Sequence, residues 1–360
     1  MARDADIVIV GAGITGAATA RTLAQSGRGV LLVEQFALGH DHGSSHGASR
    51  IFRLSYPDAH YVRLAQGALE AWRELEAECG EQLIVRTGVL DFGGVAAENA
   101  RALASCGIRY ELLTGAEVGR RWPRIGTDAG EPALYQPDGG TILADRSHAV
   151  LLAAARDAGA EILEGTRVTG IELGRGVVRL TTPREEIVGR AAIVAAGAWS
   201  PTLLAPAGIE LAVVPTQETV AYYDLRDALE LPPVIDDAVP DARTHGLRRP
   251  GLINYALAAP GLGLKAGLHH AGPPADPDVR SGPDEAVVRW VSSWVGRRYP
   301  DAVPAPGRTE TCLYTNTPDE SFVLERHGRI VVASACSGHG FKFAPALGRT
   351  IAALARDAAA

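Results

Sequence analysis

The sequence predicts an α/β protein in which a layer built on a parallel sheet is interrupted by an inserted α+β domain with a mixed antiparallel sheet. Three observations carry this. Asp6-Ile7-Val8-Ile9-Val10 is an unbroken apolar run, the pattern of a strand buried on both faces of a parallel sheet. It passes directly into Gly11-Ala12-Gly13-Ile14-Thr15-Gly16 and a helical stretch of small residues, Ala17 to Gln25. Buried-strand patterns return at Ala191–Ala195 and Ile330–Ala335, with a proline-rich region of strand-like segments between them.

The elements follow in order. Gly27 ends the first helix and Val30-Leu31-Leu32-Val33-Glu34 is a second apolar strand, completing a strand–turn–helix–strand unit. Tyr61 to Cys79 places Leu64, Leu69, Trp72 and Leu75 at helical spacing. Gln82 to Phe92 reads as a strand, and residues 93–140 carry turn signals at Gly126, Gly130 and Gly139-Gly140. A helix is expected over Arg146 to Ala158 and a strand over Glu161 to Arg167, and Gly197 closes the strand at Ala191. Leu211 to Glu310 alternates strand patterns with one helix near Glu285 to Val295. A last strand, a glycine turn and a helix over Pro345 to Arg356 finish the chain. The expected layout is a discontinuous Rossmann-like domain from residues 1–85, 141–210 and 311–360, with a substrate domain from 86–140 and 211–310.

Composition narrows the function. The 360 residues are 46% hydrophobic and 21% charged, with a formal net charge of −7, the profile of an ordinary globular chain. That balance gives no electrostatic reason to bind nucleic acid or an anionic membrane. Cys79, Cys106, Cys312 and Cys336 form no CxxC pair and no metal-ligand spacing, so a reducing, cytoplasmic setting is expected. Only four strongly apolar residues, Ile7 to Val10, precede the glycine loop, too few for an export signal. No apolar run approaches the roughly 20 residues needed to span a bilayer.

Each glycine of the fingerprint has a physical task. Gly11 permits the tight turn, Gly13 lets the backbone approach a pyrophosphate, and Gly16 lets helix and strand pack closely. The helix N-terminus offers free N–H groups and partial positive charge to phosphates. Glu34 lies 18 residues after Gly16, at the end of the second strand, where a carboxylate accepts hydrogen bonds from ribose hydroxyls. An acid there favours NAD or FAD over NADP and does not separate the first two.

Gly43 to Arg53 reads as a polar loop running into a short helix, with Arg50 and Arg53 at i and i+3. His40, His42 and His46 cluster nearby, but no carboxylate or cysteine spacing makes them a metal site. Together with the fingerprint, this loop resembles the sarcosine oxidase branch of the D-amino acid oxidase-like flavoenzymes. Gly263-Leu264-Lys265-x-Gly267-x-His269 is similar to that family's active-site lysine segment, Cys312-Leu313-Tyr314-Thr315 to its flavin-linking cysteine segment, and Ser337-Gly338-His339-Gly340-Phe341-Lys342-Phe343 to its C-terminal flavin-binding turn. The likeness spans essentially the whole chain, which ends soon after its last helix, without an extension common in relatives.

The resemblance implies FAD, held by Gly11, Gly13, Gly16, Glu34, Ser45, His46, Arg50, Val168, Gly197, Trp199, Gly338, His339, Gly340, Phe341 and Lys342, and attached covalently through Cys312. Cys336 is the rival thiol and reads as packing. Arg53 and Lys342 are the expected partners of a substrate carboxylate, Arg53 because a guanidinium makes two parallel bonds. Lys265 is expected beside the flavin, promoting reaction with oxygen. If its segment is a strand, His269 at i+4 faces the same way and tunes substrate protonation. Tyr255 and Tyr314 are weaker pocket candidates.

The implied reaction is FAD-dependent oxidation of a secondary amine, an N-methyl or cyclic amino acid, with oxygen as acceptor and hydrogen peroxide as product. The alternatives are a dehydrogenase with another acceptor, a natural-product tailoring amine oxidase, and a non-catalytic flavin-binding subunit. Partners are a small amino or imino acid and O2, with the chain acting as a monomer. Arg243, Arg248 and Arg249 either recognise a second acidic group or belong to a solvated loop.

Overall fold

A computed structural model describes residues 3–237 and 252–360. Arg243, Arg248 and Arg249 lie outside the described residues.

The apolar run at the start forms the strand Arg3–Val10, which pairs in parallel with Val30–Val33 on one side and Glu186–Val194 on the other. Glu161–Leu163 extends the parallel array beyond Val30–Val33, and Ile330–Ser334 lies parallel to the end of Glu186–Val194. Two antiparallel strands, Gly170–Leu173 and Val178–Thr181, attach to the first half of Glu186–Val194, and Val323–His327 pairs with Ile330–Ser334. Alternation explains why every residue of the first strand's inner half is apolar. Ile7 and Ile9 face one core with Leu23, Trp72 and Ile351, while Val8 and Val10 face another with Leu180, Ile187 and Val332. The first core is roofed by the helices Ile14–Gln25, Ala59–Cys79 and Ala344–Ala359. Gly348 of the last helix approaches Ala18 of the first so closely that an added Cβ would meet Ala18 backbone at 2.8 Å.

A second sheet of eight strands runs in the order Arg308–Asn316, Val214–Tyr223, Gly263–His269, Ile253–Ala259, Val234–Asp236, Val89–Phe92, Pro132–Gln136, Glu111–Thr114. It is antiparallel apart from Val234–Asp236 against Val89–Phe92. The helix Glu285–Arg298 lays Trp290, Trp294 and Val295 on one face of it. At the end of this helix Arg298, 7% exposed, bonds to Asp236 and Glu131 at 2.7 Å each and lies 4.0 Å from the centre of the Phe92 ring. A small third sheet joins Ser49–Phe52, Gly140–Leu143 and Ile84–Val85.

The architecture is the expected mixed α/β fold, with four local departures. Ser49–Phe52 is a strand and not a short helix. Ile51 and Phe52 suit extended backbone, and the partner strand Gly140–Leu143 supplies the hydrogen bonds. Gln82–Phe92 is two strands, Ile84–Val85 and Val89–Phe92, broken at Gly88, whose φ is +77°. The strand expected over Glu161 to Arg167 stops at Leu163. The strand beginning at Arg308 belongs to the second sheet through its pairing with Val214–Tyr223, so the chain re-enters the first sheet at Val323 rather than at residue 311. Among the described residues no helix is long and apolar enough to cross a membrane.

Candidate active site

The fingerprint turn leaves the first strand with Gly11 at φ +101°, its N–H donating to the Val33 carbonyl at 2.8 Å. An added Cβ on Gly16 would overlap the Gly11 carbonyl, which is why the helix can start so close to the strand. Glu34 is 5% exposed and accepts from the amides of Ala12 at 2.8 Å and Phe36 at 3.0 Å, with His40 Nε2 at 3.5 Å. Burial pushes its carboxyl upward, but the His40 contact and the two amides outweigh it and hold the group below its usual range. Ser45 Oγ accepts from the Ile14 amide at 2.9 Å, closing the first turn of the helix from outside.

A cavity of about 390 Å³ starts at this turn and runs between the two large sheets. Its walls include Gly11, Gly13, Glu34, Ser45, Val168, Gly197 and Trp199 at one end, and Arg53, Tyr255, Lys265, His269, Cys312, Tyr314 and the Gly338–Lys342 turn at the other. That size is typical of a site for a small molecule or cofactor.

Arg50 stands between the two ends. Its guanidinium donates to the carbonyls of Ser44 (2.8 Å), His46 (2.7 Å) and Ser49 (2.9 Å) and lies 5.4 Å from the centre of the Phe341 ring. One side chain thus gathers the 44–49 loop into a cradle. His46 Nε2 is buried without a hydrogen-bond partner among the described residues. Burial, with the charges of Arg50 and Lys265 beside it, drops the imidazole to about 4, so it is neutral at physiological pH.

Strand alternation sends Lys265 and His269 to the same face of Gly263–His269, and both reach the cavity. Lys265 is 5% exposed, with Nζ 3.4 Å from the Ser49 carbonyl. Burial is the main reason its ammonium falls to about 7, and Arg50 adds to the effect. His269 Nδ1 is 3.4 Å from the Tyr314 hydroxyl, and burial holds the imidazole well below its ordinary value. Both rings rest on Gly338: with φ +72°, it sits where a Cβ would overlap Tyr314 and come within 2.5 Å of His269 Cε1.

Lys342 and Arg53 converge on Tyr56. Lys342 Nζ donates to the Tyr56 hydroxyl at 2.9 Å and to the His339 carbonyl at 2.8 Å, and Arg53 stacks 4.3 Å from the centre of the Tyr56 ring. Burial, then the charges of Arg53 and Arg50, lowers Lys342 strongly. Burial raises the Tyr56 phenol to about 12, so it stays protonated. Lys342 and Arg53 therefore flank one neutral phenol, Lys342 at its hydroxyl and Arg53 against its ring, and have no carboxylate partner at hydrogen-bond distance among the described residues. Arg53 Nη1 donates to the Ser55 carbonyl at 2.7 Å. An anionic group is what such a corner lacks.

Of the two thiols in the cavity wall, Cys336 accepts from the Thr315 amide at 3.3 Å. Burial raises the Cys312 thiol, partly opposed by Arg50 and Lys265. His339 is held by the Glu320 carbonyl at 3.0 Å and stacks on Phe322, and burial drops it to about 3. The Trp199 indole N–H donates to Asp278 at 2.8 Å.

Two features at or behind the cavity wall escaped sequence reasoning. His148 reaches the Ala12 carbonyl at 2.7 Å from a helix to which the sequence assigns no site residue. Tyr56 lies 286 residues from Lys342, and nothing local marks it as the bridge between the two cations.

The residues fit FAD on structural grounds. A carboxylate with two amide partners sits at the ribose end, a helix N-terminus faces the cavity, and the orphaned His46 Nε2 awaits a polar neighbour.

Comparison with known proteins agrees. Residues 6–354 match the family model described as DAO, FAD dependent oxidoreductase. The chain is 35% identical over 358 residues to human peroxisomal sarcosine oxidase, covering 96% of this chain and 90% of that one. It is 31% identical over 374 residues to monomeric sarcosine oxidase of Arthrobacter sp. (strain TE1826), covering 98% and 92%. Among solved structures, NikD, an unusual amino acid oxidase essential for nikkomycin biosynthesis, superposes with a TM-score of 0.86 at 30% identity, covering 98% of this chain and 94% of that one. A match over this much of the chain, on a cavity whose residues suit the cofactor, places the protein in the DAO family of FAD-dependent oxidoreductases.

Proposed function

We propose that this chain is an oxidase of secondary amines, acting on an N-methyl or cyclic amino acid and passing the electrons to O2. The observation that carries the reading is the Arg53–Tyr56–Lys342 corner, two basic side chains against one neutral phenol, at the opposite end of the cavity from the dinucleotide turn. Similarity to two sarcosine oxidases and to NikD supports the same substrate class.

In this reading Arg53 and Lys342 bind the substrate carboxylate, and their fixed geometry sets which carbon faces the cofactor. His269, neutral and anchored by Tyr314, holds the substrate amine in the form that carries a lone pair. Lys265 provides a cation beside the reacting face, where negative charge builds on oxygen. Held by the glycine turn, Glu34 and the Gly338–Lys342 turn, FAD would supply the acceptor for hydride from the carbon next to nitrogen and the two electrons that reduce O2 to hydrogen peroxide. Cys312 is the thiol assigned to the covalent link because its segment, Cys312-Leu313-Tyr314-Thr315, resembles the family's flavin-linking one; Cys336, which accepts from the Thr315 amide, is the rival. The division into a discontinuous FAD domain and an inserted substrate domain belongs to the same proposal, as does action as a monomer in the cytoplasm. All four cysteines are free thiols, in keeping with a reducing compartment.

The test is peroxide release by the purified flavoprotein across a panel of N-methyl amino acids, cyclic imino acids and their primary-amine counterparts. Turnover confined to secondary amines supports the proposal. Turnover confined to primary amines, or with dye but not oxygen, overturns it.

A further inference from the structure

Adjacent residues of an extended strand point to opposite faces. His269 ends its strand and His270 follows it, yet the two ring centroids are only 3.9 Å apart. The cause lies in the backbone: His270 has φ +57°, which folds its ring back beside that of His269. Glu320, from a separate loop, is also left-handed at φ +62°, and its Oε1 is 3.4 Å from His270 Nε2. Strained non-glycine residues concentrate where a site over-determines them, and two of the four among the described residues meet here.

The result is a cluster in which one ligand atom from each of His269, His270 and Glu320 lies within 4.8 Å of the others. Two imidazoles and a carboxylate are a donor set for Zn²⁺ and its neighbours in the first transition row. With bonds of about 2.1 Å, a tetrahedral ion separates its ligand atoms by about 3.4 Å. His270 and Glu320 already have that spacing, so only the third ligand must close, by a side-chain adjustment. The Tyr314 hydroxyl at His269 Nδ1 is a ready outer-shell partner. The cluster runs from the cavity wall at His269 to an exposed carboxylate at Glu320, leaving an entry path. Arg53 and Lys342 lie close enough to act on His269 electrostatically and oppose a cation, so the affinity expected is modest.

We infer that His269, His270 and Glu320 bind one divalent transition cation at the mouth of the cavity, and that the ion shuts the site by occupying an imidazole nitrogen of His269. The binding half stands on its own. The inhibitory half rests on the role proposed for His269.

The holoenzyme is dialysed against Zn²⁺ at equilibrium and metal content is read by atomic absorption. His270→Asn, which keeps a side chain tolerant of the left-handed conformation, and Glu320→Gln are measured beside it. The expected result is one zinc per wild-type chain. Each variant loses at least the about 10-fold in affinity that removing an outer-shell partner costs. Zinc also raises the apparent KM for substrate in the wild type and not in the variants. Absence of binding at millimolar zinc, or equal binding by wild type and both variants, overturns the site. Failure of the oxidase reading shows separately, as absent amine turnover in zinc-free enzyme.

Discussion

Replacing Lys342 with Met separates function from stability in a way that tests the carboxylate corner directly. The side chain is 6% exposed, and burial holds its ammonium well below the ordinary lysine value. The fold therefore disfavours this charge, and methionine of similar length removes that penalty. Against the gain stand two lost hydrogen bonds, to the Tyr56 hydroxyl and the His339 carbonyl, worth about 0.5–1.5 kcal/mol each. The two terms offset, so the variant should melt within a few degrees of the wild type. Substrate binding has no such compensation. A charge-assisted bond to a carboxylate is worth about 1.5–3 kcal/mol, which is about 10- to 150-fold in kcat/KM. Linkage supplies a second signature. The folded pKa lies below the unfolded one, so between them the unfolded chain holds more protons and stability rises with pH toward about 10.4. Lys342→Met should show less of that rise than the wild type. The assays are steady-state kinetics, binding of a simple carboxylate such as acetate followed by flavin absorbance, and melting curves at two pH values. Unchanged acetate affinity with kcat/KM within twofold of wild type would refute the assignment of Lys342 to the carboxylate.

Three other outcomes follow from the same geometry. Lys265→Met should slow the reaction with oxygen by about 10²–10³-fold, the cost of losing one preorganised charge partner, while turnover with an artificial dye largely survives; equal losses with both acceptors would count against the role. Cys312→Ser should release flavin into the supernatant on acid precipitation, whereas Cys336→Ser should leave the colour in the pellet, and the reverse pattern would move the link to Cys336. Arg298→Met should cost about 3–5 kcal/mol in denaturant unfolding, because it removes the guanidinium from the buried carboxylate of Asp236 and the half-buried one of Glu131; a loss under 1 kcal/mol would show that the network is replaceable.

The local elements were largely readable from the chain. The apolar run at Ile7, the glycine turn and Glu34 form one contiguous unit whose backbone requirements are met by near neighbours, so periodicity and glycine spacing were enough. Lys265 and His269 share a face through the two-residue period of a strand. Arginines at i and i+3 suggest a helix at 50–53, yet Ser49–Phe52 is a strand and Arg53 follows it. Only the pairing with Gly140–Leu143, about ninety residues away, decides the matter.

What tertiary structure alone decided is the meeting of distant groups. Tyr56 bridges Arg53 and Lys342, His148 supports the turn at Ala12, and His270 finds Glu320. Sequence determines which residues can carry charge, bend the backbone or lie on one face, because those properties are local. Which of them share a dielectric, and so which lysine is driven toward neutrality and which carboxylate is held ionised, depends on burial and on neighbours brought in by other elements. Those quantities exist only once the chain has closed on itself.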